Sequence, residues 1–481
     1  MKAIVFFNSG QDKNWITDWR PTADTKTIDW RIDGKILSQL KRSPLSADED
    51  HSGSPVHWVE GDPVEPRRKY QLHVDGKPFY IKGVAYNPGH GWESGFNVLT
   101  RKSVRKDFSE ISELGANTIR RYHPSSYDDL ILEMAAEKGL KVIYGFWFDP
   151  KVDYIKDTLK VQAYYELVEK VVRKYKNNKS IIIWNVGNET GSLLKHHFHQ
   201  PYLAELRLAY IRMVDSMARR IHEIDKGSLV TSSLEHTRYL NGKLNYLRQM
   251  APSLDVVGIN SYYTEQIGVL DSLCARFIGD KAYIVTEFGP EGYWDLAYSR
   301  FDHEGFPRDE DDFADAEHIG RNWKNYVEGK KGGHIGGVAF CWRERFEGSA
   351  NWFGVTDQRG KKKASHYALK KAWGDSTVNI DWKAMHIIGP YSMVKRDQRY
   401  MYRVQNTNQQ FDRYEWKVFS EGTFRKIGSV RVLGNGELAE ISVPALPGKY
   451  RVYVYAYDKS GNVITASRHI TVIKGVFNQG I

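Results

Sequence analysis

Short apolar runs alternate with amphipathic stretches from about residue 80 to residue 373. The runs at 80–86, 116–122, 141–146, 181–186, 229–233, 256–260, 283–286 and 338–342 are rich in Val, Ile and Ala and read as parallel strands buried on both faces. Between them, apolar residues recur at helical spacing over 101–114, 128–138, 161–174, 202–224 and 313–328, and again over 366–373 after the last run. Eight strands with helices between most of them predict a closed (β/α)8 TIM barrel over 68–376, with an open doubly wound sheet as the alternative. Asp75-Gly76, between two alternating runs, predicts a hairpin turn just ahead of the first strand.

After the last helix the period falls to two. Runs around 400–404, 414–418 and 449–457 alternate, with a turn at 458–462, and predict an antiparallel immunoglobulin-like β-sandwich over 377–481. Two roles stay open for it, a structural shield for the barrel or a carbohydrate-binding module, because fold alone names no function. Residues 1–67 read as a short appendage packed on the main domain. Their stretch 45–66 is rich in Pro, Ser, Asp and Gly, whereas 26–34 alternates like a strand.

Composition narrows the class. A chain of 481 residues with 41% hydrophobic content can bury more than one core. The net charge of +10 raises an anionic partner, yet basic residues are spread along the chain. The one short run, Lys361-Lys362-Lys363, reads as solvated surface, so no nucleic-acid partner is expected. Two cysteines, Cys274 and Cys341, imply no disulfide framework. No stretch reaches the roughly 18 apolar residues of a membrane span, and the opening residues are too short in their apolar part for a secretory signal. A cytoplasmic location is the default expectation unless a leader or an upstream domain was removed.

The chemistry concentrates in two strings that end apolar runs, Trp184-Asn185-Val186-Gly187-Asn188-Glu189 and Thr286-Glu287-Phe288-Gly289. The carboxyl ends of barrel strands are where such enzymes place their reactive groups. Two glutamates delivered from the fourth and seventh strands are the parts needed to break a glycosidic bond, one as acid and base and the other as nucleophile. Asn188, whose amide both donates and accepts, suits a contact to a sugar 2-hydroxyl. Fourteen Trp and 29 Tyr supply aromatic faces of the kind sugar rings stack on, although ordinary cores use them too. Trp92, Trp147 and Trp294 fall on loops after predicted strands and are candidates to shape subsites.

These motifs resemble the acid/base and nucleophile motifs of the clan A retaining glycoside hydrolases, and the barrel resembles that of glycoside hydrolase family 2. Gly115-Ala116-Asn117-Thr118-Ile119-Arg120-Arg121-Tyr122-His123-Pro124 and the stretch 351–373 resemble that family's second strand and closing helix, so the likeness covers roughly 70–374. The resemblance implies Glu189 as acid/base and Glu287 as nucleophile. It implies Arg120 holding the nucleophile charged, Tyr262 (or its neighbour Tyr263) bonding it, Trp342 flooring the sugar subsite, and His123 and Trp147 contacting substrate. One departure is that fewer than 80 residues precede the barrel, where the family usually carries further domains, so subsite walls from upstream are expected to be absent. Residues 79–88 also resemble the β-1,3-glucanosyltransferases of family 72, which leaves hydrolysis and transglycosylation both open.

Other features carry less. Adjacent histidines at 196, 197 and 199 lack the helical spacing of a zinc site, so no metal is expected. The acidic stretch 302–317 lacks a calcium-loop pattern and reads as a solvated lid. The glycines at 83–91 lack a dinucleotide fingerprint, so no nucleotide cofactor is expected. The partner is then a carbohydrate substrate. The remaining alternative is a glycan-binding protein on an inactive barrel.

Overall fold

A computed structural model of the chain describes residues 56–60, 70–88, 98–292, 294, 311–328, 334–345, 347, 349–378, 383–390, 393–405, 411–421 and 429–474. Eight parallel strands close a barrel in chain order: Ile81–Ala85, Thr118–Arg120, Lys141–Phe146, Ile181–Asn188, Leu229–Glu235, Val256–Asn260, Ala282–Phe288 and His334–Ala339. They are called here the first to eighth barrel strands. A helix follows each, from Arg101–Glu113 after the first to Ala364–Ala372 after the eighth. The barrel predicted from hydrophobic patterning is therefore present, and the open sheet is excluded.

Two apolar layers hold it. Ile81, Ile143, Ile183, Leu229, Val256, Ile284 and Ile335 fill the interior, while the outward faces of the strands pack on helix residues such as Val104, Phe108, Ile111, Val214 and Ile319. Strand and helix periodicities agree at both layers, which is why the pattern was readable. Helix starts are fixed by local chemistry. Thr100 and Ser103 form a reciprocal capping box on the first helix, and the Asp311 carboxylate accepts from the amides of Phe313 and Ala314 on the helix Asp312–Asn322.

The eighth strand departs from expectation, running His334–Ala339 where the pattern suggested 338–342. Its start is masked in the sequence by Gly336 and Gly337, which weaken the strand signal. Gly336 sits at φ +121°, and a β-carbon there would lie 2.2 Å from the Ile81 carbonyl oxygen. Only a bare backbone closes this seam between last strand and first.

Before the barrel, Val56–Glu60 pairs antiparallel with Tyr70–Val74, and the predicted turn has Asp75 and Gly76 both at positive φ. The strand expected at 26–34, residues 45–55 and 61–66 of the stretch 45–66, Trp92, the glycine stretch 89–91 and residues 302–310 of the acidic stretch lie outside the described residues. Beyond the barrel, two four-stranded sheets face each other, one of Met393–Lys395, Val463–Ile473, Gly448–Tyr457 and Arg413–Ser420, the other of His386–Ile388, Arg399–Gln405, Leu438–Ser442 and Ser429–Leu433. The sandwich is not wholly antiparallel, since Met393–Lys395 runs parallel to its neighbour.

The sandwich turns a tyrosine-rich face to the barrel. Tyr453, Tyr455 and Tyr457 are buried there with Phe419 and Ala350. The Ala350 amide donates to the Tyr453 hydroxyl at 3.2 Å, and the Tyr457 hydroxyl donates to Asp357 at 3.0 Å. Two readings of charged runs change here. Lys363, in the basic run, is buried with its ammonium 2.7 Å from Glu344 and 3.0 Å from Asp312. Asp312, from the acidic stretch, is likewise buried and accepts from the Thr465 hydroxyl at 3.0 Å. Neither is solvated surface, because each supplies one half of a seam ion pair that sequence neighbours do not reveal. No helix among the described residues is long and apolar enough to cross a membrane.

Candidate active site

Both glutamates stand where a strand slips register. The fourth strand pairs with the fifth through Asn185↔Thr231 and then skips to Asn188↔Ser233, and the seventh pairs with the sixth through Val285↔Ile259 and then skips to Glu287↔Asn260. Ile284 faces the barrel interior and Val285 the helices, so strict alternation would send Glu287 outward. The slip turns it inward instead. In the fourth strand, Gly187 at φ +85° leaves room for the Tyr210 hydroxyl, which a β-carbon would meet at 2.1 Å. Glu189 itself adopts φ +57°, a left-handed conformation that costs a non-glycine residue about 1–3 kcal/mol and recurs at functional sites.

A continuous chain of hydrogen bonds joins the two carboxyl groups. The fully buried Arg120 donates through Nη1 to Glu287 Oε1 at 2.8 Å and through Nη2 to Asn188 Oδ1 at 2.7 Å. Asn188 Oδ1 also accepts from Asn260 Nδ2 at 3.1 Å, and the same Nδ2 donates to Glu189 Oε1 at 2.7 Å. Thr286 Oγ1 and Ser233 Oγ complete the lattice, the first donating to Asn260 Oδ1 at 2.7 Å and the second accepting from Arg120 at 3.0 Å. With its oxygen held on both sides, Asn188 is left its NH2 group to offer a ligand.

The environments of the two glutamates differ. Glu287 Oε1 accepts from Arg120 and from the Tyr122 hydroxyl at 2.8 Å, and Oε2 accepts from the Tyr262 hydroxyl at 2.6 Å. Among the described residues no cation bonds the Glu189 carboxyl, and Lys243 acts on it only through its charge. Burial, then repulsion from Glu287 and Glu235, pushes its pKa up to about 8, against a smaller opposing effect of the Asn260 hydrogen bond. One carboxyl is surrounded by donors that suit a negative charge; the other holds a proton at neutral pH.

Of the residues singled out in the sequence, Glu189, Glu287, Arg120, Asn188 and Tyr262 meet in this one lattice. Between the neighbouring tyrosines the geometry chooses Tyr262, since the Tyr263 hydroxyl donates away to the Gly292 carbonyl at 2.8 Å. Trp342 is fully buried and edge-on to His366, so its ring is closed to the cleft and does not form its floor. The strand leaves its ladder at Ala339, and the inward position falls on Phe340, whose ring is edge-on to Tyr122 and Tyr262 at 6.4 and 6.2 Å. His123 is exposed at the end of the second strand, with its carbonyl accepting from Arg121 at 3.2 Å. Trp147 stands exposed after the third strand, and Trp294 packs edge-on against Tyr262 at 4.9 Å while remaining 46% exposed.

Tyr122, Asn260, Ser233 and Phe340 were missed. Tyr122 had a signal, because two residues after Arg120 is the same face of the strand. Asn260 and Ser233 are small polar residues at strand ends with nothing in the sequence to set them apart. Glu347, on the loop after the eighth strand, pairs with Arg345 at 3.1 Å, and its pKa is raised by burial and, less, by repulsion from Glu287.

Comparison with known proteins finds similarity across the barrel. Residues 67–291 match the family model "Glycosyl hydrolases family 2, TIM barrel domain". The chain is 28% identical to cat (Felis catus) β-glucuronidase over 206 residues, 41% of this chain and 27% of that protein. It is 26% identical to the pig (Sus scrofa) enzyme over 245 residues, 49% of this chain and 32% of that protein. A β-galactosidase of Photobacterium profundum is 28% identical over 173 residues, 35% of this chain and 16% of the relative. The matched parts thus span a third or less of these relatives. Among solved structures, Bacteroides uniformis β-glucuronidase overlays with a TM-score of 0.48 at 18% identity, covering 84% of this chain and 47% of that one. The likeness to family 72 gains no support from these matches. The stretch 67–291, which carries both glutamates, is thus similar to the glycosyl hydrolase family 2 TIM barrel domain.

Proposed function

We propose that the chain is a retaining β-glycosidase that acts on a β-linked glycan through a covalent glycosyl-enzyme intermediate. The observation that carries the reading is the contrast between its two linked carboxyls, Glu287 held by three donors and Glu189 pushed up to about 8. In the first step a Glu287 oxygen bonds to the anomeric carbon as the glycosidic C–O bond breaks, and the leaving oxygen takes the Glu189 proton. Burial is the main effect that keeps Glu189 protonated, and forming the ester removes the charge on Glu287 and with it the next, its repulsion. Glu189 is then suited to take a proton from water as that water attacks the anomeric carbon and the ester C–O bond breaks. Asn188 offers its amide to the 2-hydroxyl, and Trp147 and Trp294 offer exposed faces for neighbouring sugars.

The relatives' names make aryl β-glucuronides and β-galactosides the first substrates to try. Proton NMR of a fresh digest tests the stereochemistry. Retention gives the β-anomer first, with the α-anomer following by mutarotation. Initial α-anomer would contradict the reading, and so would a folded protein that binds glycans without turnover. Sugar transfer would follow the same intermediate, and lengthened oligosaccharides with little reducing sugar would favour transglycosylation.

A further inference from the structure

We propose that Tyr122 sets which oxygen of Glu287 attacks and speeds the departure of the carboxylate in the second chemical step. The inference rests on the retaining reading above and adds to it a residue with its own role.

A carboxylate oxygen offers two in-plane acceptor positions. Both are used on Oε1, by Arg120 Nη1 at 2.8 Å and by the Tyr122 hydroxyl at 2.8 Å. On Oε2, among the described residues, one is used, by Tyr262 at 2.6 Å. The open lone pair therefore belongs to Oε2, which forms the bond to the anomeric carbon, and Oε1 becomes the carbonyl oxygen of the glycosyl ester. There Arg120 and Tyr122 stay in place, because a carbonyl oxygen still accepts two hydrogen bonds.

Tyr122 is built as a donor. Its hydroxyl oxygen accepts from Arg120 Nη1 at 3.2 Å, which turns its proton towards Glu287, and the guanidinium carbon lies 4.4 Å from its ring centroid. Burial above all raises its pKa well above the ordinary phenol value, so the proton stays on the oxygen at working pH. A hydrogen bond to an ionised acceptor is stronger than one to a neutral acceptor. Tyr122 therefore stabilises the free carboxylate more than the ester. That difference makes Glu287 a slightly weaker nucleophile and a better leaving group, so the two steps respond in opposite directions to loss of the hydroxyl.

Tyr122→Phe keeps the ring and removes the donor. The two steps can be read separately with 2-deoxy-2-fluoro-β-glucuronyl and β-galactosyl fluorides, whose inactivation rate reports ester formation and whose reactivation rate reports ester hydrolysis. Reactivation is expected to slow about tenfold in Tyr122→Phe, with inactivation unchanged or faster and an unaltered thermal melt. Equal slowing of both steps would make Tyr122 a positioning residue only and overturn the proposal; so would no change in either. If the wild type turns over the matching aryl glycosides yet takes no label on Glu287, the retaining reading itself fails, and the proposal falls with it.

Discussion

At the scale of single residues, the site works by giving two chemically identical side chains different surroundings. Glu287 meets a buried guanidinium and two phenols, and among the described residues Glu189 is hydrogen-bonded by an amide and by no cation. Glu189 must keep its proton to act as an acid, and its raised pKa means that proton is lost as pH rises. A fall of kcat/KM above pH of about 8 is expected in a pH–rate profile. Asn260→Ala removes a hydrogen bond that favours the charged form, so the alkaline limb should move to higher pH in the same assay. Glu287→Gln removes the proposed nucleophile and should lower kcat by at least about a thousandfold, measured on an activated aryl glycoside. The two glutamates, Arg120 and Asn188 were legible because they end strong apolar runs in recognisable strings. Asn260 and Ser233 were not, because their importance lies in partners supplied by other strands.

At the scale of elements, the barrel was legible and its irregularities were not. Seven strands were found near their observed places because buried parallel strands leave unbroken Val and Ile runs. The eighth was misplaced because it closes the barrel with glycines, and that misplacement put Trp342 where Phe340 stands. Register slips at Glu287 and Asn188 leave no trace in the sequence, since they depend on how neighbouring strands pair. Gly336→Ala tests the closure, since it would place a β-carbon 2.2 Å from the Ile81 carbonyl at a φ of +121°. A loss of about 3 kcal/mol or more in urea unfolding is expected.

At the scale of the whole molecule, the sandwich is tied to the loop that follows the eighth strand. Its tyrosine face is spent on that contact, which favours a structural role for this face over glycan binding. Lys363 anchors the seam between Glu344 and Asp312, and all three are buried. Lys363→Met would leave two buried carboxylates without their cation and should cost about 3–5 kcal/mol in chemical denaturation. This seam escaped the sequence reading because Lys363 sits in a basic run and Asp312 in an acidic one, each of which resembles solvated surface until the fold brings them together.

In the proposed mechanism Glu287 forms a covalent bond to the sugar. Intact-protein and peptide mass spectrometry after incubation with activated 2-deoxy-2-fluoro β-glycosides, beside Glu287→Gln, tests it most directly. A single glycosyl adduct is expected on the peptide bearing Glu287, absent from the variant. An adduct on another residue, or turnover of the same aryl glycosides with inverted configuration and no adduct, would contradict it.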